Sequence, residues 1–400
     1  DLKKEIQKST ICFIYNNHYN EEIYQNMTDF FQNNRLLANR TQMLTLLNII
    51  SIISNNHHRS SYFYNKIEQI LLFFKDTIKK LFSKEEIFKI FQSNKRILLF
   101  LLREKLIKSK QIATAVNNQE CNHSYFYYFF PEIKILFDKD FTTSFSITDF
   151  NKFNLNREIG ENDDYICQLI RNDLIEEFII YVNKNDLPLS TKVKPSIFET
   201  NPFLTEKEPS LIEYSAFFGS TQIFRYLYLN QTNLNTKTFW IYSIHGNNPE
   251  LIQFLYDNKI IPSDEIYQIC LKEAIKCHHN EMAEYIINNC GKNDQKVIFS
   301  QSIKHFNFHF FTDDLDAYDD SAFVDLCRHG QSDFVDFLLR FKAIDINRKK
   351  VQIFYSTVMF FFLSIFEWDG IARCNWKRKR RNCENFTIKT GNWCKYQNRF

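Results

Sequence analysis

The sequence predicts an all-α chain: a solenoid of stacked helix pairs preceded by a helical region of its own. Three observations carry that expectation. Gly 7 and Pro 7 are few in 400 residues, and scarcity of both breakers favours helices over strands and turns. Apolar residues recur along most of the chain at the spacing of one helical face. The stretch from Glu208 to Asn230 reads as one complete helix-turn-helix unit, in which Ser210 opens a first helix, Ser215 and Ala216 face inward, and Gly219 closes it. Ile223, Phe224 and Leu227 then place an apolar stripe at i, i+1, i+4 on the second helix. A Ser at the start satisfies orphan N–H groups, and a Gly at the end adopts the left-handed cap without a Cβ penalty.

Residues 1–155 read as the preceding helical region. Ile67, Ile70, Leu71, Phe74, Ile78 and Leu81 define one face of a helix over Lys66 to Phe82. Ser83 and Glu86 form a capping box, and a helix follows through Ile87, Ile90 and Phe91. The run Ile97 to Leu102 is far shorter than the roughly 20 residues of a membrane span and reads as a buried helix. Between about Gln111 and Leu155 the pattern weakens into a variable connection. His57 and His58 sit in a polar connection, where paired histidines without a third ligand are solvated loop residues rather than a metal site.

The pairs recur from about Glu161. Tyr165 to Ile170 makes a first helix, with Leu174, Ile175 and Phe178 as the stripe of the second. After an irregular insert, Leu187 to Lys207, comes the complete unit. Then follow Phe239 to Gly246 with Leu251, Ile252 and Leu255, and Ile269 to Cys277 with Met282, Ala283 and Ile286. Ser321 to Gly330 with Phe334, Val335 and Leu338 matches the complete unit position for position. Ile223 to Leu251 is 28 residues, Leu251 to Met282 is 31 and Met282 to Phe334 is 52. The first two lie a little under the ankyrin period of about 33, and the third leaves room for one worn unit around Val297 to Phe311.

These features define a degenerate ankyrin-repeat solenoid over 156–349. The block Pro209 to Asn289, with IEYSAFFGS, WIYSIHGNNPELI and CLKEAIKCHHNEMAEYI, resembles an uncharacterised ankyrin-like domain family expanded in trichomonad protists. EEIYQNMTDFF, SNNHHRS and IFQSNKRILLFLL are similar to the helical region preceding it there. The resemblance implies an ankyrin-repeat interaction protein without assigned catalytic residues. No Thr-Pro-Leu-His stands in this frame, and Cys277 replaces the closing Gly of one unit.

After Lys350 the texture changes. Val351 to Phe366 is apolar, and Lys377 to Arg381 is basic. Read one nucleotide later, the codons permitted for Glu367 to Trp376 include Asn-Gly-Thr-Ala-Leu-His-Val-Ala-Ile-Gly. The expectation is therefore that 350–400 is a frameshift or gene-model product, and that its apolar stretch does not signify a membrane partner.

Composition excludes several function classes. A formal net charge of +3 argues against a dedicated nucleic-acid surface. The abundance of Phe 42 and Tyr 20 is also what A/T-rich codons produce. Ten cysteines without repeated spacing read as reduced thiols, hence an intracellular, cytoplasmic protein. The N-terminus is charged where a secretory signal needs an apolar core, and it lacks an initiator Met, as though the record begins inside a longer protein. The seven glycines never cluster, so no phosphate-binding loop or dinucleotide fingerprint is present. Cys270, Cys277, His278 and His279 do not converge at helical spacing as zinc requires, and no sequence signal places a base beside any cysteine. The acidic runs Glu161 to Asp164 and Thr312 to Asp316 lack EF-hand spacing.

The expected function is a protein-binding adaptor with no catalytic residue, metal or cofactor. Its candidate partner-binding residues are Asn233, Asn235 and Lys237 in one loop, then Trp240, Tyr242 and His245 on the following helix, with core packing as the alternative for Trp240. The runner-up is a scaffold that self-associates through the N-terminal helices.

Overall fold

A computed structural model of the chain describes residues 2–16, 20–34, 39–56, 62–121, 123–137, 145–231, 236–289, 294–312, 314, 318 and 320–341. Every regular element among them is helical, and the β contact among them is an isolated antiparallel bridge between Lys192 and Ser210. His57, His58, Asn233, Asn235 and the tail after 350 lie outside the described residues. The chain divides into two compact units, Asp1–Phe311 and Thr312–Phe400.

The first unit begins with α1 (Leu2–Tyr15), α2 (Glu21–Asn33), α3 (Arg40–Asn56), α4 (Phe63–Phe73), α5 (Lys75–Leu81), α6 (Lys84–Phe91) and α7 (Lys95–Arg103). The single helix expected over Lys66 to Phe82 is two: the chain turns at Phe74 (φ −95°, ψ 5°), while Ile67, Ile70, Leu71, Phe74 and Ile78 remain on one buried side. The capping box before α6 is present, with Ser83 Oγ accepting from Glu86 N and the Glu86 carboxylate accepting from Ser83 N. Ile97 to Leu101 is buried, so α7 is the core helix its sequence implies. The weakly patterned connection contains α8 (Ser109–Asn117), α9 (His123–Tyr128), α10 (Phe130–Ile133) and α11 (Phe150–Ile159).

Helix pairs follow: α12 (Tyr165–Arg171) with α13 (Ile175–Lys184), then, after α14 (Pro202–Lys207), α15 (Leu211–Phe218) with α16 (Thr221–Leu229). Next come α17 (Phe239–Gly246) with α18 (Pro249–Asp257), and α19 (Asp264–Lys276) with α20 (Asn280–Asn289). The last first helix, α21 (Gln295–Lys304), is followed only by the 3-10 turn Phe308–Phe310. First helices stack in chain order, α12 on α15, α15 on α17, α17 on α19 and α19 on α21. Their shared core includes Ile170, Ala216, Phe217, Ile244, Leu271 and Ile275, with Phe178, Phe224, Leu227, Leu255 and Ile286 from the second helices.

One turn geometry closes every first helix. A residue with positive φ stands at Asp173 (50°), Gly219 (70°), Asn247 (44°), His278 (59°) and Phe306 (52°), two positions before the second helix or its remnant. In each case its N–H bonds the carbonyl three residues back. The N–H of the next residue bonds the carbonyl five back at Leu174, Ser220, His279 and Asn307, which is a Schellman cap. Only Gly219 of these five takes the left-handed region without a Cβ penalty. The closing residue of the α19 pair is therefore His278, not Cys277. Leu174, expected in the buried stripe, precedes α13 and is exposed, and the buried positions there are Phe178 and Val182. Side chains after the turns tie neighbouring pairs together: Ser220 Oγ donates to Ile170 O, Asn248 Nδ2 to Gly219 O and Asn307 Nδ2 to Ile275 O.

The helices before residue 155 pack against this array. Lys95 Nζ donates to Ile197 O at 2.6 Å, Arg96 Nε to Glu158 O at 2.6 Å, and Tyr64 shares a hydrogen bond with Thr200. Far along the array, Gln7 of α1 bonds His278, Asn307 and Phe308. Taken by itself, the second unit holds α22 (Asp320–Arg328) and α23 (Ser332–Phe341), separated by Gly330 at φ 68° with the same two backbone hydrogen bonds. No helix among the described residues is long and apolar enough to cross a membrane.

Candidate functional site

The residues expected to meet a partner separate into two groups. Lys237, in the turn before α17, is exposed. Trp240, Tyr242 and His245 are 1 %, 4 % and 0 % exposed, which corrects the expectation that they line an open face. Trp240 Nε1 donates to Ile260 O and its ring meets Tyr267 edge-on. Core packing, the alternative for Trp240, is what the structure shows. Tyr242 and His245 do lie on the inner side of α17, but Phe203 of α14 covers them, with ring centroids 5.0 and 4.0 Å away. The insert between α13 and α15, irregular in sequence, folds back over the first helices.

Beneath that cover His245, Glu273 and Cys277 come together. His245 of α17 bonds Glu273 of α19 through Nε2 at 3.0 Å, and its Nδ1 stands 3.3 Å from Cys277 Sγ. Glu273 and Cys277 are four residues apart, so one helical face presents both. Burial lowers the His245 pKa despite the opposing hydrogen bond from Glu273, and the imidazole is neutral at pH 7. Burial alone would raise the Glu273 carboxyl, but hydrogen bonds with His245 and Lys276 outweigh it and bring it down to about 2. Burial holds the Cys277 thiol well above its ordinary value. The consistent state is a carboxylate accepting from Nε2–H and a protonated thiol facing the Nδ1 lone pair.

Thiol, imidazole and carboxylate thus stand in the order nucleophile, base, orienting acid. No local pattern signals a base beside a cysteine, and the structure places His245, 32 residues away in sequence, beside Cys277. The arrangement nonetheless cannot act as a nucleophile in this conformation. Cys277 is fully buried, and its thiolate, the reactive form, is suppressed. The three donors also form a group of metal-binding type. A zinc ion needs its ligands at about 2.0–2.3 Å from a common centre. One ligand atom of each lies within 4.8 Å of the others, and in this arrangement the imidazole has both nitrogens engaged, Nε2 with the carboxylate and Nδ1 with the thiol. The cluster is a hydrogen-bonded core network.

A cavity of about 180 Å³ lies beside the insert, lined by Asn162, Lys194, Ser196, Glu199, Thr205 and Tyr214 among others. Polar groups on its walls are engaged: Glu199 accepts from the N–H groups of Asn162 and Asn201, and the Tyr214 hydroxyl accepts from Arg171. That volume suits water better than an organic ligand, whose pockets run to about 300–1,000 Å³.

No protein-family model matches the chain, and neither a curated protein nor a solved structure does.

Proposed function

We propose that this chain is an ankyrin-type repeat protein that binds another protein and carries no catalytic group of its own. The observation supporting this reading most directly is the same left-handed turn at five successive first helices of one unit, at Asp173, Gly219, Asn247, His278 and Phe306. A stacked array of this kind keeps its core between neighbours and leaves its edges free to vary.

The edge formed by the inter-pair connections is the favoured surface. A connection runs from the close of a second helix to the start of the next first helix, as from α16 to α17 and from α18 to α19. Lys237, Leu229 (78 % exposed) and Ile261 (60 % exposed) lie there or beside it. The competing reading, self-association through the N-terminal helices, has to accommodate α1, α4 and α7 already being engaged with the array.

Affinity capture with the full chain tests the proposal. Lys237→Glu combined with Leu229→Lys is expected to abolish recovery of a stoichiometric partner without changing the unfolding midpoint. Trp240→Ala cannot serve as a probe of the surface, because emptying that site costs about 3–5 kcal/mol of stability. Recovery of bait alone as a defined oligomer, or a partner indifferent to the double substitution, refutes the edge-binding adaptor.

A further inference from the structure

The contact between α1 and the far end of the array rests on a hydrogen-bond set whose polarity is fixed at every step by the backbone. Phe308 N–H can only donate, and it donates to Gln7 Oε1 at 2.6 Å. That orients the Gln7 amide, so Nε2 must donate, to Asn307 Oδ1 at 2.8 Å and to His278 Nδ1 at 2.9 Å. Asn307 is fixed independently, since its Nδ2 donates to Ile275 O and its Oδ1 accepts from His309 N. On the other side, His305 O can only accept, so His278 Nε2 carries the hydrogen at 2.9 Å. His278 is therefore held in the one neutral tautomer whose Nδ1 is bare. Its side chain is buried, as are Gln7 and Asn307.

We propose that α1 is an acid-released latch on the helix-pair array: protonation of His278 turns the acceptor it offers Gln7 into a second donor, and the α1 contact opens. The surrounding charges do not offset an added proton. On α19, Glu273 is engaged by His245 and Lys276. Lys304 and Lys276 both disfavour a charge on neighbouring His305. Glu284 of α20 is paired with His309. On α1 itself the nearby groups are Lys3, above the Phe308 ring, and Tyr15, whose hydroxyl donates to Cys277 O. Asn280 at the start of α20 has its Oδ1 accepting from Asn307 Nδ2. Burial lowers His278 to about 4, with the His305 carbonyl opposing, which is the same preference for the neutral ring expressed in its titration.

The position favours a clean test. His278 sits at φ 59°, where Asn is the best-tolerated residue after Gly. His278→Asn keeps an acceptor oxygen near the place of Nδ1 and removes the titration. The experiment is hydrogen exchange on the full chain at pH 7.5 and 5.0, corrected for intrinsic rates, comparing α1 amides with those of α15. In the unsubstituted chain, α1 is expected to lose protection relative to α15, by at most about tenfold per pH unit for a single proton, whereas in His278→Asn the ratio stays constant. A second variant, Gln7→Glu, replaces the opposing donor with a carboxylate that receives the His278 proton, and its α1 protection is expected to hold or rise in acid. Unchanged α1 protection in the unsubstituted chain at pH 5.0, or equal loss in all three proteins, overturns the latch.

Discussion

The pair α15–α16 and the pair opened by α21 use the same turn but complete it differently. After Gly219 comes a nine-residue second helix that buries Ile223, Phe224 and Leu227. After Phe306 comes a three-residue 3-10 turn that buries Phe308. In the complete pair the turn carbonyl of Gly219 is served from the next pair by Asn248, while Ser220 in turn serves Ile170 O of the preceding pair. In the shortened pair the turn's polar groups are served by α1, from some 300 positions away in sequence. The difference teaches that turn geometry outlasts helix length: five turns retain it, while the cover over the last is supplied by a remote helix.

The strongest way to break this comparison is Gln7→Leu. It strands Phe308 N–H, removes a donor from Asn307 and empties the His278 acceptor, each a buried group worth about 1–3 kcal/mol when unsatisfied, so a loss of about 3 kcal/mol or more is expected in urea unfolding. Asn248→Ala, in the pair next to the complete one, removes the N-cap of α18 and the bond to Gly219 O and is expected to cost about 1–2 kcal/mol. Equal costs would show that the remote helix matters no more than a local cap.

Acid is the next lever. His278 titrates near 4 when folded, against 6.5 for the free side chain, and burial also lowers His305, to about 3. An unfolded chain then binds more protons than the folded one below about pH 6.5, so stability is full above that value and falls as pH drops toward 4. His278 alone accounts for about 3 kcal/mol of that loss. Glu273, depressed to about 2, adds its own loss as pH falls below its unfolded value of 4.5. A urea midpoint that is flat from pH 7.5 to 5 would contradict the buried neutral assignments.

Two glycines sharpen the contrast between turn and stack. Gly219 is required by its positive φ, and an added Cβ would meet the movable side chain of Asn248 at 3.0 Å. Gly246 is helical, but its Cβ would fall 2.8 and 2.9 Å from the carbonyl oxygens of Ala216 and Phe217, so α17 could not lie as close to α15. Gly246→Ala is expected to cost about 2–3 kcal/mol by overpacking and Gly219→Ala about 1–2 kcal/mol by backbone strain. Thermal unfolding of the two variants checks the order.

Much of the helical architecture is local and was legible for that reason. The stripe at Ile223, Phe224 and Leu227, the cap at Ser83 and the turn at Gly219 each depend on neighbours within a few residues. The turn positions were partly hidden because Asp173, Asn247, His278 and Phe306 are not glycines, although counting four back from Leu251 and Met282 lands on Asn247 and His278. The inner face was not legible. Tyr242 and His245, three apart on α17, share a face that the fold-back of Phe203 from the insert covers, and Trp240 packs elsewhere, against Ile260 and Tyr267. The Cys277–His245 contact and Gln7's reach to Phe308 likewise join positions that no local pattern relates.

The smallest expected effect separates the inner layer from the outer one. Arg225 of α16 reaches across to Glu250 of α18 at 2.9 Å, with side chains 48 % and 60 % exposed, and its guanidinium lies 5.4 Å from the Phe254 ring. It joins the same two pairs that Asn248 and Gly246 join from within. Solvent screens an exposed pair, so Arg225→Ala is expected to cost under about 1 kcal/mol, with about half of that surviving as coupling to Glu250→Ala in a double-mutant cycle. Raising the salt concentration should shrink the coupling further, because charges at this exposure are screened over about 10 Å or less. A cost equal to that of Gly246→Ala would mean that the second helices, rather than the stacked first helices, set the spacing between pairs.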